Sequence, residues 1–513
     1  MRSQDIVGEA LGAVLPQHDK VWFKIPHLLR LNLILLIPLL SSAVAGYDGS
    51  LMNGLQALPD WKNRFGNPTG HILGAVNAAQ SAGSILALPF VGACSDRFGR
   101  KPTLLVGAII IVVASIIQCL SVNYGMFVFS RVVVGVGSIM VVQPSPMLIS
   151  EVCYPTHRGK YTSLYWTMYY LGAIVAAWST YGTQKNLVGS QWSWRAPSIV
   201  QAAFPLIQIA FWWFLPESPR WLISKGRDDE ATQILAKYHT GGDVSHPLVQ
   251  FEREEIINAI ALEKAAQKSS WASLYQTPGN RKRMALTLAI GFFSQWNGAS
   301  VVSYYLTLIL DTVGVTDPDT QTLINGLLQL FNFAAAIAAS FLVDRLGRRA
   351  LFNWSGLGML ASFIVVTACS ATFANTGNSS TGIAVIAFIF IFFFHYDIAY
   401  TPLVISYPTE ILPFNIRSKG LSIELAVIYT SLVVLSFVNP IALEAASWRY
   451  YIMFLVILAV SCITAWFFFP ETKGYSLEEI AEIFDGQSPL PDQFELESGK
   501  DKGVAVHVDE NVN

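Results

Sequence analysis

Asp48 is a carboxylate inside an apolar stretch that runs from about residue 30 to 55. An ionisable group at that depth in a membrane span is costly and marks a functional position by default. Low polarity favours the neutral acid and a neighbouring cation favours the carboxylate, so a group moved between the two settings can bind and release a proton. The plainer reading is a static buried ion pair. Asp397 and Glu424 are further acids in or near apolar runs, with His395 beside the first. Asp397 precedes Thr401-Pro402, where a helix should bend, so it could touch a substrate or gate its path. Glu424 faces either a pore or a charged network, and His395 reads as a satisfied interior residue.

A second kind of chemistry lies in paired charges. The hexapeptide Asp96-Arg97-Phe98-Gly99-Arg100-Lys101 recurs as Asp344-Arg345-Leu346-Gly347-Arg348-Arg349, each copy in a tight polar gap between apolar runs. The first is followed 55 residues on by Glu151, six residues, then Arg158-Gly159; the second is followed 66 residues on by Glu410, six residues, then Arg417. The glycine permits a tight turn. The acids and arginines could build two charge clusters that latch one end of a helix bundle and part when it opens. Read more plainly, they are topology signals and loop anchors. Two motifs in the same order in both halves point to an internal duplication. In a membrane chain that is most naturally a transporter, whose halves rock around a central site.

The elements that must carry these residues are long and apolar. Of the 513 residues 53% are hydrophobic and 13% charged, and the mean hydropathy is +0.44. Runs of about 20 residues, each long enough to cross a bilayer as a helix, lie near 30–55, 74–94, 103–122, 124–148, 161–181, 195–216, 284–310, 322–342, 351–372, 381–405, 420–441 and 449–469. The expected fold is an all-α membrane protein of twelve transmembrane helices in two six-helix pseudo-repeats. Its segments are 1–29, 30–216, a linker at 217–283 with helices near 227–240 and 246–268, 284–470, and a polar tail at 471–513. Lys and Arg concentrate in the gaps holding residues 97–101, 158–160, 345–349 and 417–419. The rule that basic loops stay inside makes that side cytosolic, together with both termini. Asn378-Ser379-Ser380, a sequon, then falls outside. The five cysteines have no metal-ligand spacing and read as packing thiols. No nucleophile–base pair, metal spacing or phosphate loop supports an enzyme, and the net charge of −2 offers nothing to nucleic acid.

The chain resembles the sugar porter family of the major facilitator superfamily. The resemblance rests on Gly46-Tyr47-Asp48, Asp96–Lys101, Arg131 with Gly135 and Gly137, Glu151…Arg158-Gly159, and Pro216-Glu217-Ser218-Pro219-Arg220-Trp221. It continues with Gln295…Gly298…Tyr304-Tyr305, Asp344–Arg349 and Pro470-Glu471-Thr472-Lys473-Gly474, and covers about residues 30–485. Within the family it looks like the fungal lactose permease and cellodextrin transporter branch, through Gly46–Gly54, Tyr181-Gly182-Thr183-Gln184, Trp212–Pro216 and Phe292–Gly298.

The resemblance implies proton-driven uptake of a β-linked disaccharide across the plasma membrane by a monomer, with sugar, proton and bilayer as partners and no cofactor. It makes Arg131 the partner of Asp48. It puts the sugar at midplane, where Gln295, Asn297, Ser300, Tyr304 and Asn332 either contact it or hold helices together. Where hexose porters carry glutamine on the fifth span this chain has Trp166; elsewhere Ser294, Ser300 and Ile405 replace larger family residues. A ring gained and three side chains shortened suit a longer or differently stacked sugar. The alternatives are a repacked hexose carrier and a non-transporting sugar sensor, which would bring a longer signalling tail than the roughly 40 residues after Gly474.

Overall fold

Hydrocarbon offers no partner to a backbone N–H or C=O, so a spanning segment must satisfy its own. The computed structural model describes residues 9–16, 21–267, 271–473, 480 and 483–485, and these are helical with no strand among them. Six long helices come first: α1 (Pro26–Ala57), α2 (Gly70–Phe98), α3 (Arg100–Cys119), α4 (Tyr124–Val152), α5 (Arg158–Asn186) and α6 (Trp192–Phe214). Short linker helices at Pro219–Ser224, Asp228–Leu235, Pro247–Gln267 and Ser273–Gln276 follow. The second six are α7, in two parts (Pro278–Trp296 and Ala299–Thr312), α8 (Pro318–Leu346), α9 (Arg348–Thr376), α10 (Ser379–Ile411), α11 (Phe414–Ala446) and α12 (Tyr451–Phe468). The twelve-helix count agrees with the apolar runs. Several helices extend past their runs because the polar residues at their ends continue the helix beyond the apolar layer. The polar tail expected beyond Pro489 lies outside the described residues. So does Gly474.

Among the described residues nine stretches are long and apolar enough to cross a membrane, one of them taking in α12 and most of α11; α5 and the first part of α7 are not among them, and the second part of α7, at 14 residues, is too short to be. Those two helices carry Trp166, Tyr169, Tyr170, Thr180 and Gln184, and Ser294, Gln295, Asn297, Ser300 and Tyr304. The less apolar segments, α5 and the first part of α7, thus bring polar side chains inward.

Each repeated turn is built from a glycine and a distant glutamate. Gly99 (φ 107°) and Gly347 (φ 88°) take backbone angles that favour glycine. Glu217 accepts from the N–H groups of Arg100 (3.1 Å) and Lys101 (3.3 Å). Glu471 does the same for Arg348 (2.8 Å) and Arg349 (3.1 Å). Each glutamate therefore caps the third helix of its half, satisfying donors that a helix start leaves open. Burial pushes the Glu217 carboxyl above its ordinary range, with the N–H donors only holding it back. Burial also acts on Glu471, but four N–H donors outweigh it and leave that carboxyl below its ordinary range. The face carrying these turns is called the turn face, and the other, at residues 58–69, 187–191 and 313–317, the loop face.

Inside the first half, small residues let backbones touch. A Cβ on Gly46 would land on the Tyr169 carbonyl of α5, and one on Gly172 would land on the Ala43 carbonyl of α1. Gly172→Val should therefore force α1 and α5 apart, lowering thermal stability by about 1–3 kcal/mol or more. Gly182→Ala, in the same helix but with no atom of another element within 4 Å of the added carbon, should not lower it. A melting comparison of the two purified variants checks this; equal melting would show that the contact is not tight.

Candidate functional site

Asp48 is fully buried and reads three other helices of its half. Its Oδ2 accepts from Gln80 Nε2 of α2 (2.9 Å) and Ser138 Oγ of α4 (2.7 Å), and its Oδ1 accepts from Gln201 Nε2 of α6. Arg131 of α4, also buried, does not bond the acid directly. Its Nη2 donates to Gln80 Oε1 at 2.7 Å, so the carboxamide of Gln80 stands between the two charges. Arg131 Nε and Nη1 have no hydrogen-bond partner. The expected acid–arginine pair is thus a relay: the amide oxygen takes from the cation and the amide nitrogen gives to the acid. A proton arriving on Asp48 makes it a donor, which a hydroxyl rotor such as Ser138 can accept while an amide N–H cannot. The relay is therefore sensitive to the protonation of Asp48.

Helix α7 is broken twice beside this relay. At the first break Gly298 has φ 96°, and Asn297 Oδ1 accepts from Ala299 N at 2.9 Å. Asn297 is fully buried; its Oδ1 caps the break, and its Nδ2 is left without a hydrogen-bond partner. At the second, Tyr305 leaves helical geometry (φ −137°, ψ 29°). Asn53 of α1 mends that gap from the other half. Its Nδ2 donates to the carbonyl of Ser303 and its Oδ1 accepts from Leu306 N at 3.1 Å. Gln56 Nε2 adds a bond to the Tyr304 carbonyl at 2.9 Å. Gly70 N donates to Glu444 (2.7 Å), and Lys185 meets Asp319 (3.2 Å). These bonds tie the halves together toward the loop face.

The other candidate residues are placed as follows. Asp397 of α10 is fully buried; its Oδ1 accepts from Tyr170 of α5 and from Thr401 at 2.8 Å, and its Oδ2 has no partner. The helix bends at Tyr400–Pro402 as the proline implied. Trp166, 38% exposed, lies one helical turn from Tyr170 and packs edge-on to Tyr165. Gln295 is half-buried and donates to Ser294 Oγ (3.1 Å), and Ser300 Oγ donates to the Gln295 carbonyl (3.1 Å). Asn332 is buried with its Oδ1 unpartnered, as are both oxygens of Glu424. Folded interiors leave few such groups unsatisfied. His395 bonds its own helix at the Ile391 carbonyl, 2.8 Å away.

The charge clusters divide differently from the expected pattern. Arg100 pairs with Asp96 and Glu151, both at 3.4 Å, and Arg348 with Glu410 at 3.1 Å, each within one half. Arg158 and Arg97 are exposed and make no ion pair among the described residues; Arg417 donates to the Leu412 carbonyl at 3.0 Å. The side chains of Asp344 and Arg345 lie outside those described.

A family model described as "Sugar (and other) transporter" matches residues 34–484. The chain belongs to the sugar transporter family. As a family member it shares 29% identity over 461 residues with the low-affinity glucose transporter HXT1 of Saccharomyces cerevisiae, covering 86% of this chain and 79% of that one. The solved xylose transporter XylE from E. coli, in a partially occluded inward-open conformation, superposes with a TM-score of 0.73 at 21% identity over 87% of this chain and 99% of that one. A further structure of XylE, described as a proton:xylose symporter of the major facilitator superfamily, superposes at 0.72 with 22% identity over 88% and 99%. The protein is thus a sugar transporter with the major facilitator fold, not an enzyme.

Gln80, Ser138, Gln201, Tyr170 and Asn53 escaped the reading of the sequence, which weighed only some polar residues within apolar runs. Asn53→Ala should free the broken α7 from α1. The loss is two or more hydrogen bonds at about 0.5–1.5 kcal/mol each, roughly a ten-fold shift toward loop-face opening. Spin-label distances across the loop face should lengthen in a measurable fraction of molecules; an unchanged distance distribution would assign the closure to other bonds.

Proposed function

We propose that this sugar transporter is a proton-coupled importer of a β-linked disaccharide, of the lactose or cellobiose class, working as a monomer in the plasma membrane with both termini cytosolic. The observation that carries the coupling is the relay of Asp48, Gln80 and Arg131. A buried acid joined to a buried cation through one amide, and held by donors from α2, α4 and α6, couples its protonation to the arrangement of those helices around α1. A membrane potential of 100 mV contributes about 2.3 kcal/mol for each proton charge moved, roughly a 50-fold concentration ratio.

The alternating-access part of the proposal rests on the unequal faces. The loop face is bonded across the halves through Asn53, Gln56, Gly70 and Lys185. At the turn face the named ion pairs stay within each half, and among the described residues Arg158 and Arg417 make none. In the opposite state we infer that Arg158 meets Glu410 and Arg417 meets Glu151, forming the latch. Sugar hydroxyls would pair with Gln295, Asn332 and Asp397, whose amide or carboxylate groups have capacity to spare, with Tyr304 nearby and Trp166 as a stacking face. Asp397 is reached only when the Tyr170 bond between the halves gives way. Ser300 leaves room, and Asn297 shapes the break.

A hexose carrier is the second reading, favoured by the glucose transporter among its relatives. A sugar sensor on the same fold is a third.

Two experiments decide. Asp48→Asn should abolish uphill accumulation and alkalinisation of the medium while sparing counterflow; wild-type accumulation in the variant would end the coupling proposal. In a transport-deficient yeast, excess glucose should compete poorly against lactose or cellobiose uptake, and Trp166→Gln should shift the preference toward glucose. If glucose competes as well as either disaccharide in the wild type, the hexose reading replaces this one.

A further inference from the structure

The turn-face end of α6 holds a cavity of 240 Å³ away from the central site. Its wall includes Arg30 from the first turns of α1, Trp213 and Phe214 from the end of α6, and Ile234, Lys237 and Tyr238 from the linker. Trp213 is 79% exposed and Phe214 56%. They end a membrane-crossing helix, so their rings sit where hydrocarbon meets headgroups. Trp22 and Phe23, also exposed, extend the same aromatic belt before α1.

Among the described residues neither cation is answered by an acid: Arg30 and Lys237 are exposed and take part in no ion pair there; the Lys237 ammonium lies 5.4 Å from the Tyr238 ring centroid. Of the linker acids near Lys237 in sequence, Asp243 accepts from Ser245 (2.7 Å), Glu230 from Arg227 (2.7 Å), and Asp228 lies 3.9 Å from Arg253; Asp229 is exposed and does not line the cavity. Glu217, beside the end of α6, is turned onto the N–H groups of Arg100, Lys101 and Ser218. The cavity therefore offers two positive groups at headgroup depth, an aromatic wall beside the acyl region, and no free carboxylate among its lining residues.

We propose that this cavity binds the headgroup of an anionic glycerophospholipid, with the phosphate between Arg30 and Lys237 and an acyl chain along Trp213 and Phe214. Basic pockets flanking transmembrane helices recognise such headgroups by this combination. Because α1, α6 and the linker each supply part of the wall, the lipid bridges the first half to the segment that joins it to the second.

The full-length protein reconstituted in phosphatidylcholine nanodiscs, with and without phosphatidylglycerol, then extracted and examined by native mass spectrometry, provides the test. Wild type should retain phosphatidylglycerol in preference to phosphatidylcholine. Retention should fall about fivefold for each cation removed, roughly 25-fold in the double variant Arg30→Ala, Lys237→Ala. Lys24→Ala, which removes a cation of the same belt outside the cavity, should retain the lipid as wild type does. Equal retention by the double variant overturns the proposal, as does a loss in Lys24→Ala matching that of Lys237→Ala, which would mean general surface charge. Displacement of the lipid by inorganic phosphate would identify a free-oxyanion site instead and overturn the lipid assignment. Trp213→Ala, weakening retention with both cations in place, tests the acyl contact without altering charge.

Discussion

A carboxylate in hydrocarbon must be answered by something, and the first half of this protein is arranged around that requirement at Asp48. The acid takes hydrogen bonds from Gln80, Ser138 and Gln201, each worth about 1.5–3 kcal/mol when the acceptor is charged. Those donors come from α2, α4 and α6, so the position of α1 fixes whether all three reach. The close packing of α1 on α5 through Gly46 and Gly172 sets that position. Arg131 is held one amide away, where its charge still acts on the acid but a direct pair cannot lock it. A directly bonded pair would be harder to part than one joined through a neutral carboxamide.

The second half answers a different constraint, the broken backbone of α7. A kink at Tyr305 exposes carbonyl and N–H groups inside the bundle, where leaving them unmade is expensive. Asn53 supplies both a donor and an acceptor to the gap from across the interface. The break and the closure of the halves are thereby one arrangement. Asn297 does part of the same job within its own helix at Gly298, its Oδ1 accepting from Ala299 N.

Much of this was readable from the sequence. The twelve helices follow from run length, the bend in α10 from Pro402, and the linker helices from their charged and apolar mixture. The repeated hexapeptide correctly marked two equivalent turns, but their construction could not be read from it. The capping acids Glu217 and Glu471 lie over 100 residues from the N–H groups they satisfy, and no local spacing announces such a pairing. Asp48 and Arg131 were legible because charge in an apolar run stands out. Gln80 and Gln201 were not, because a single amide in such a run is usual and its partner is set by helix rotation. Arg158 and Arg417 make no ion pair among the described residues, Arg417 bonding the Leu412 carbonyl instead, because side-chain pairing is set by conformation, which composition does not carry.

The modest apolarity of α5 and the first part of α7, and the break that shortens the second part, have a consequence for how the chain enters a membrane. A helix that lipid alone does not favour can be stabilised there only by the neighbours that cover its polar face. For α5 part of the cover is α1, already made when α5 emerges from the ribosome, and part is the second half, where Asp397 and Asp319 meet Tyr170 and Gln184. For α7 much of the cover is α11, synthesised more than a hundred residues later, and α1, which lies across the linker. Biogenesis therefore cannot be a simple succession of independent insertions. The seventh segment must wait beside the insertion machinery, or be held by the completed first half, until its later partners arrive. The features that make the centre of the bundle polar enough for a sugar thus also make the order of synthesis part of the folding problem.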